Sequence, residues 1–158
     1  MNDKILSIEK LQEILHESRK EGLKIVFTNG CFDILHVGHA RYLAAARGKG
    51  DLLVVGLNSD DSVRKLKGSK RPFVAEEERA EVLSYLEMVD YIVIFDEITA
   101  GNVISTLKPH IYVKGGDYHI ENLPEVKFVK EYGGTIEFIP VIEGASTTNI
   151  VERILERY

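Results

Sequence analysis

Cysteine is almost absent from this chain of 158 residues. Cys31 stands alone, so no intrachain disulfide can form and a reducing compartment suits the sequence. No apolar run approaches the ~20 residues needed to cross a bilayer, and the N-terminus carries no signal-peptide pattern; the expectation is a cytoplasmic protein that makes no use of a membrane. A basic excess is missing as well. Lys and Arg number 20 against 25 Asp and Glu, for a net charge of −5, which argues against a nucleic-acid binder. Any phosphate-bearing ligand must then meet a local concentration of positive charge. Neither G-x-x-x-x-G-K-[ST] nor G-x-G-x-x-G occurs, so neither a P-loop enzyme nor an ordinary dinucleotide binder is indicated. Internal repeats and low-complexity segments are lacking too.

What is present is an ordinary globular mixture, 44% hydrophobic and 28% charged, long enough for one domain with a real core. Ser7 to Lys20 places Ile8, Leu11, Ile14 and Leu15 at helical spacing. Residues 1–22 are thus expected as an N-terminal helix packed on a single domain, 23–158. Strand-like apolar runs follow at Ile25–Thr28, Leu52–Asn58, Tyr91–Phe95, Ile111–Lys114 and Thr135–Ile139. Helical patterns separate them at Ala40–Arg47, Ala75–Met88, Thr99–Leu107, Leu123–Tyr132 and Thr147–Arg157. Continuous apolar strands alternating with helices predict an α/β fold, a doubly wound, five-stranded parallel Rossmann-like sheet with helices on both faces. In such sheets ligands bind at the carboxyl ends of the strands, where the winding reverses. If strands one and four are neighbours there, three unusual segments surround one crevice: 28–39, 114–117 and 146–148.

The most informative of these is Thr28-Asn-Gly-Cys-Phe-Asp-Ile-Leu-His-Val-Gly-His39. It joins a buried strand to a helix, so His36 and His39 sit beside a helix start, whose unpaired N–H groups and partial positive charge attract phosphate. Gly38 removes a Cβ where a ligand would approach. Metal ligation is the first alternative, but neither further ligands nor the metalloprotease spacing is evident. The second is that one imidazole caps the helix while the other packs in the core. Cys31 lacks a general-base partner beyond these histidines, which speaks against a thiol nucleophile.

Three other features admit two readings each. Arg64–Arg71 holds Arg64, Lys65, Lys67, Lys70 and Arg71 and is either a solvated surface loop or a mobile lid whose lysines neutralise charge on a transferring phosphoryl group. Ser146-Thr147-Thr148 reads as a helix N-cap, a role compatible with holding terminal phosphates. Asp117, after Gly115-Gly116, is a turn former or an acceptor for base or ribose groups. Arg79 falls in a helical pattern, where an arginine is usually solvated or salt-bridged.

Taken together these residues resemble the HxGH nucleotidylyltransferases. The likeness is strongest to the nucleotidyltransferase half of bifunctional ADP-heptose synthases, through residues 28–39, 55–60, 66–72, 113–118 and 146–150. The resemblance implies AMP transfer from ATP to D-glycero-β-D-manno-heptose 1-phosphate, giving ADP-heptose for lipopolysaccharide core biosynthesis, and pyrophosphate. It assigns His36, His39 and Lys67 to catalysis, and Asn29, Gly30, Cys31, Phe32, Gly38, Lys114, Gly115, Gly116, Asp117, Ser146, Thr147 and Thr148 to the nucleotide. Lys70, Arg79 and Asn58 are further candidates for substrate phosphates. Mg2+ is expected to arrive with ATP and to need few protein ligands, no side chain being identified as one. The implied setting includes a separate sugar kinase, and a homo-oligomer is compatible with it. The alternative within the family is a cytidylyltransferase acting on a polyol or amino-alcohol phosphate such as glycerol 3-phosphate. Those enzymes carry an arginine where this chain has Val141, which weakens that alternative. The alternative of another class is a nucleotide-binding module without catalysis.

Overall fold

The computed structural model describes residues 2–116, 122–140 and 146–158. Five strands, β1 (Ile25–Gly30), β2 (Leu52–Asn58), β3 (Tyr91–Phe95), β4 (Ile111–Gly115) and β5 (Thr135–Ile139), form one parallel sheet in the order β3-β2-β1-β4-β5. Their apolar runs are continuous because both faces are covered. Val26, Val55, Leu57, Ile111 and Val113 point to a core shared with α2 (Val37–Arg47) and α4 (Glu76–Ser84). The alternate residues Ile25, Phe27, Val54 and Tyr112 point to a second core beneath α1 (Ile8–Lys20), α5 (Gly101–Leu107) and α6 (Val126–Glu131). Among the described residues the remaining helices are α3 (Asp60–Lys67) and α7 (Thr147–Arg157).

Strand order positions the site. From β1 the chain proceeds to β2 and β3 on one side, then crosses to β4 and β5 on the other, so the winding reverses between β1 and β4. The β1–β2 ladder runs from Ile25↔Leu52 to Gly30↔Leu57, whereas β1 pairs with β4 only at Val26↔Ile111 and Phe27↔Tyr112. Beyond that pair the two carboxyl ends are free to separate, and a crevice opens at the switch point.

The basic segment Arg64–Arg71 is not one loop: Arg64 to Lys67 form the last turn of α3. Ser59 starts that helix, its side chain accepting from Ser62 N, and Asp60 and Asp61 suit the positive end of its dipole. Gly68, at φ 100°, ends it in a conformation that favours glycine. Helix α2 begins at Val37, three residues earlier than its apolar pattern indicates, because His36 caps it. Helix α4 stops at Ser84 rather than Met88, since the chain must reach Asp90, whose N–H and carboxylate clasp the carbonyl and N–H of Leu53 (3.0 and 2.7 Å) and set β3 beside β2. On the outer edge of β3, the first strand of the sheet order, residues 4–6 add backbone hydrogen bonds to Ile92, a contact no periodicity announces.

Packing at the sheet centre is tight. A Cβ on Gly56 would lie 2.6 Å from Phe27 Cζ and 3.3 Å from Phe95 Cε1. Gly56→Ala should therefore lower unfolding free energy by about 1–3 kcal/mol through overpacking. Urea denaturation measures this, and an unchanged midpoint would contradict it.

Candidate active site

The two histidines form a capping box. His36 is the N-cap of α2, and its Nδ1 accepts from Gly38 N at 3.1 Å. His39, three residues on, accepts from His36 N through its own Nδ1 at 3.3 Å. The rings stack, with centroids 3.9 Å apart and planes inclined at 29°. Since each Nδ1 is an acceptor, each neutral ring carries its proton on Nε2. The capping expected as the duller reading is thus what fixes the tautomer needed to donate to an anion. Burial, helped by the charges of His36 and Lys67, holds His39 down at about 4, and burial also lowers His36. Phe32 packs on His39 with ring centroids 5.4 Å apart. It adopts φ 44°, a left-handed conformation unusual for a bulky side chain and of the kind found at functional turns.

Behind this turn lies Arg79, 1% exposed. Its Nε donates to Val74 O (2.8 Å), its Nη1 to Cys31 O and Asn58 O (2.7 and 2.8 Å), and its Nη2 to Asp60 Oδ1 (2.7 Å). Asp33 accepts from Phe73 N and Val74 N and so ties the chain after α3 to the histidine segment. On the other side, the hydroxyls of Thr28 and Tyr42 lie 2.6 Å apart and both reach the Val113 carbonyl, at 2.9 and 3.1 Å. They occupy an acceptor just past the end of the β1–β4 ladder.

These segments enclose a cavity of ≈ 450 Å³, within the usual range for small-molecule sites. Its wall brings together the turn from Asn29 to Phe32, His36, Gly38, His39, Lys67, Lys114, Gly115 and Ser146 to Thr148. Lys67 reaches it from the end of α3, while Arg64 on the same helix pairs with Asp61. Ser146 caps α7 by accepting from Asn149 N, and Thr147 donates to Ile34 O at 3.2 Å. Four candidates stand elsewhere. Lys70 and Gly116 are not on the wall. Arg79 spends its guanidinium on the bonds above, neither solvated nor merely salt-bridged at the surface. Asn58 is buried, with Nδ2 donating to Ser62 Oγ. Asp117 and Val141 lie outside the described residues. Sequence reasoning passed over Asp33, Arg41 and Tyr42 on the wall; the only signal for Tyr42 was its i+3 spacing from His39 on one helix face.

The wall is rich in donors and cations. Among the described residues no group of three His, Cys, Asp or Glu side chains could hold a metal, and Asp33 already accepts two backbone N–H groups. Burial pushes the Cys31 thiol up, away from a nucleophilic thiolate. No helix among the described residues is long and apolar enough to cross a membrane.

The family profile described as cytidylyltransferase-like matches residues 27–153. This chain belongs to the cytidylyltransferase-like family. It is a nucleotidyltransferase by that membership. It is 54% identical over 157 residues to the bifunctional protein HldE of Syntrophotalea carbinolica, covering 99% of this chain and 32% of that protein. To HldE of Geobacter sulfurreducens it is 50% identical over 155 residues, covering 98% and 32%. The chain thus spans about a third of the length of the curated relatives it matches. Among solved structures it is similar to the lipopolysaccharide core biosynthesis protein from Thermoplasma volcanium, with TM-score 0.62 and 29% identity over 77% of this chain and 98% of the other. It also shares its fold with the pantoate-β-alanine ligase of Francisella tularensis (TM-score 0.63, 17% identity, covering 96% of this chain and 77% of that one).

Two predictions follow from the site's electrostatics. An imidazole whose folded pKa lies below its unfolded value of ~6.5 stabilises the fold while neutral. That contribution is complete above pH ~6.5 and is lost as pH falls toward about 4. His39→Gln, which can still complete the capping box, should lose less stability than the parent between these pH values in urea titrations; an equal loss would assign the proton uptake elsewhere. Lys67→Ala should slow nucleotidyl transfer by about 10²-fold or more, with Arg64→Ala within about twofold. Equal rates for the two variants would return Lys67 to the solvated surface.

Proposed function

We propose that this chain transfers AMP from ATP to D-glycero-β-D-manno-heptose 1-phosphate, releasing pyrophosphate and ADP-heptose. The observation that carries the reading is the pair of histidines capping α2 with Nε2 as the proton-bearing nitrogen of each, on a wall shared with Lys67, Lys114 and the first turn of α7. Such a row of donors and cations complements a triphosphate. The base and the acceptor come from the likeness of residues 113–118 and 146–150 to ADP-heptose synthases. Identity with bifunctional relatives over nearly the whole chain supports that choice.

In this mechanism an oxygen of the sugar phosphate attacks the α-phosphorus in line. The new O–P bond forms as the bond to the bridging oxygen breaks, and pyrophosphate carries the electron pair away. The nucleophile is already an anion, so no general base is needed. The work of the protein is alignment and charge stabilisation. His36 and His39 donate from Nε2 to phosphate oxygens, Lys67 offsets charge gathering on the leaving group, and the Ser146–Thr148 turn holds the β- and γ-phosphates. A divalent ion, Mg2+ in this reading, would come bound to the triphosphate and supply further charge neutralisation. A sugar kinase must provide the 1-phosphate acceptor.

The test offers ATP and CTP to the protein with a panel of sugar and polyol phosphates, following pyrophosphate release and product mass. ATP with the heptose 1-phosphate should be the productive pair, and His39→Ala should abolish release with only a modest loss of ATP affinity. CDP-linked product from glycerol 3-phosphate would replace the proposal with the cytidylyl reading. ATP binding without release on any acceptor would favour a non-catalytic module.

A further inference from the structure

Two tyrosines stand by the cavity: half-buried Tyr42 on its wall, and fully buried Tyr112, which is bonded to the wall residue Asn29. Tyr42 completes the bonding of Val113 O described above, whereas Tyr112 is not used by the mechanism. Its ring is fully buried and packs against Phe27, centroids 6.1 Å apart. Phe27↔Tyr112 is the last pair of the β1–β4 ladder. Side chains alternate along a strand, so Asn29, two residues beyond Phe27, shares its face. Tyr112 is long enough to pass the end of the ladder, and its hydroxyl donates to Asn29 Oδ1 at 2.5 Å.

We propose that Tyr112 is a positioning residue of the nucleotide pocket: its hydroxyl grips the Asn29 carboxamide by the oxygen and turns the NH2 toward the bound nucleotide. A carboxamide offers one acceptor atom and one donor group. With the oxygen held by Tyr112, the group that Asn29, which lines the cavity, turns to the ligand is its NH2, a donor. It therefore selects an acceptor on the ligand, a phosphate or hydroxyl oxygen or a ring nitrogen, and rejects a donor placed there. Burial, with Glu125 and Tyr42 nearby, pushes the Tyr112 pKa well up, so the hydroxyl keeps the hydrogen this role requires. Naming a nucleotide as the ligand rests on the functional reading above.

The test is equilibrium binding of ATP, by titration calorimetry, to the parent protein, Tyr112→Phe, Asn29→Ala and the double variant, with thermal unfolding recorded for each. Tyr112→Phe keeps the ring against Phe27 and should weaken ATP binding about five- to tenfold in the parent, but less than about twofold when Asn29 is already Ala. A purely structural role would give the same loss in both backgrounds, which would overturn the proposal, as would unchanged affinity. Asn29→Asp retains the acceptor for Tyr112 yet has no donor, so it should bind ATP no better than Asn29→Ala. Parent-like affinity in that variant would also overturn the proposal, even if Tyr112→Phe failed to fold. Failure of the parent to bind ATP would sink this proposal together with the functional reading. Coupling between positions 112 and 29 would support it even where no sugar phosphate accepts AMP, an outcome that defeats the functional reading alone.

Discussion

The carboxyl edge of the sheet is organised around one buried guanidinium. Taking a charge out of water is costly unless it is paired and hydrogen-bonded, and Arg79 meets that condition with Asp60 and three backbone carbonyls. Each carbonyl belongs to a segment that must arrive at the same place: Cys31 in the turn leading to the histidines, Asn58 at the end of β2, and Val74 on the return from α3. No hydrophobic contact specifies the relative height of three chain segments so closely, because apolar packing is non-directional. Asp33 repeats the principle with the charge reversed, taking Phe73 N and Val74 N. Arginine and aspartate together fix the span from 73 to 74 on both sides of the motif, and so the loop that follows Lys67.

Within that frame the histidines carry a structural bond that, in the proposed mechanism, is also the basis of their chemical role. A helix start must satisfy N–H groups that have no intrahelical partner. Serine or threonine usually does so; here Nδ1 of each imidazole does. The cap leaves Nε2 as donor, and the stacked arrangement makes protonation of both rings unfavourable, consistent with the low pKa of His39. Neutral donors suit a reaction in which an anion must approach another anion and the product must leave. Fixed positive charge at both positions would hold pyrophosphate as firmly as the transition state.

Strands and site segments were legible in the sequence because both have local signatures: continuous apolar runs, and a histidine pair after a glycine turn. Strand order has no local signature. The convergence of 29–39, 114–115 and 146–148 depended on β1 and β4 being neighbours, which the topology bears out. Helix α3 was not read, although Ser59 and the acidic pair after it mark a helix start, because the run of basic residues drew attention to its last turn as a loop. Arg79 was not legible. Its spacing on α4 gives no sign of burial, since its acceptors lie up to 48 residues away in sequence. Asp33 and Tyr112 escaped for the same reason: what they do is defined by residues 40 and 83 positions distant.

For a chain of net charge −5 the proposed polyphosphate substrate poses a problem of local sign, and the cavity offers an answer. Its wall carries Arg41, Lys67 and Lys114 against the single described carboxylate of Asp33. That carboxylate is turned to backbone N–H groups, which offset its charge without adding a competing cation. At physiological ionic strength the field of distant surface acids is screened within about 8 Å, so the acidic exterior does little to repel a ligand already in the crevice. Inside, where screening is weaker, the nearby lysines and oriented N–H groups dominate. Overall acidity and phosphate chemistry are therefore compatible because they act at different ranges, and the helix ends and buried bonds described above keep the short-range donors in place.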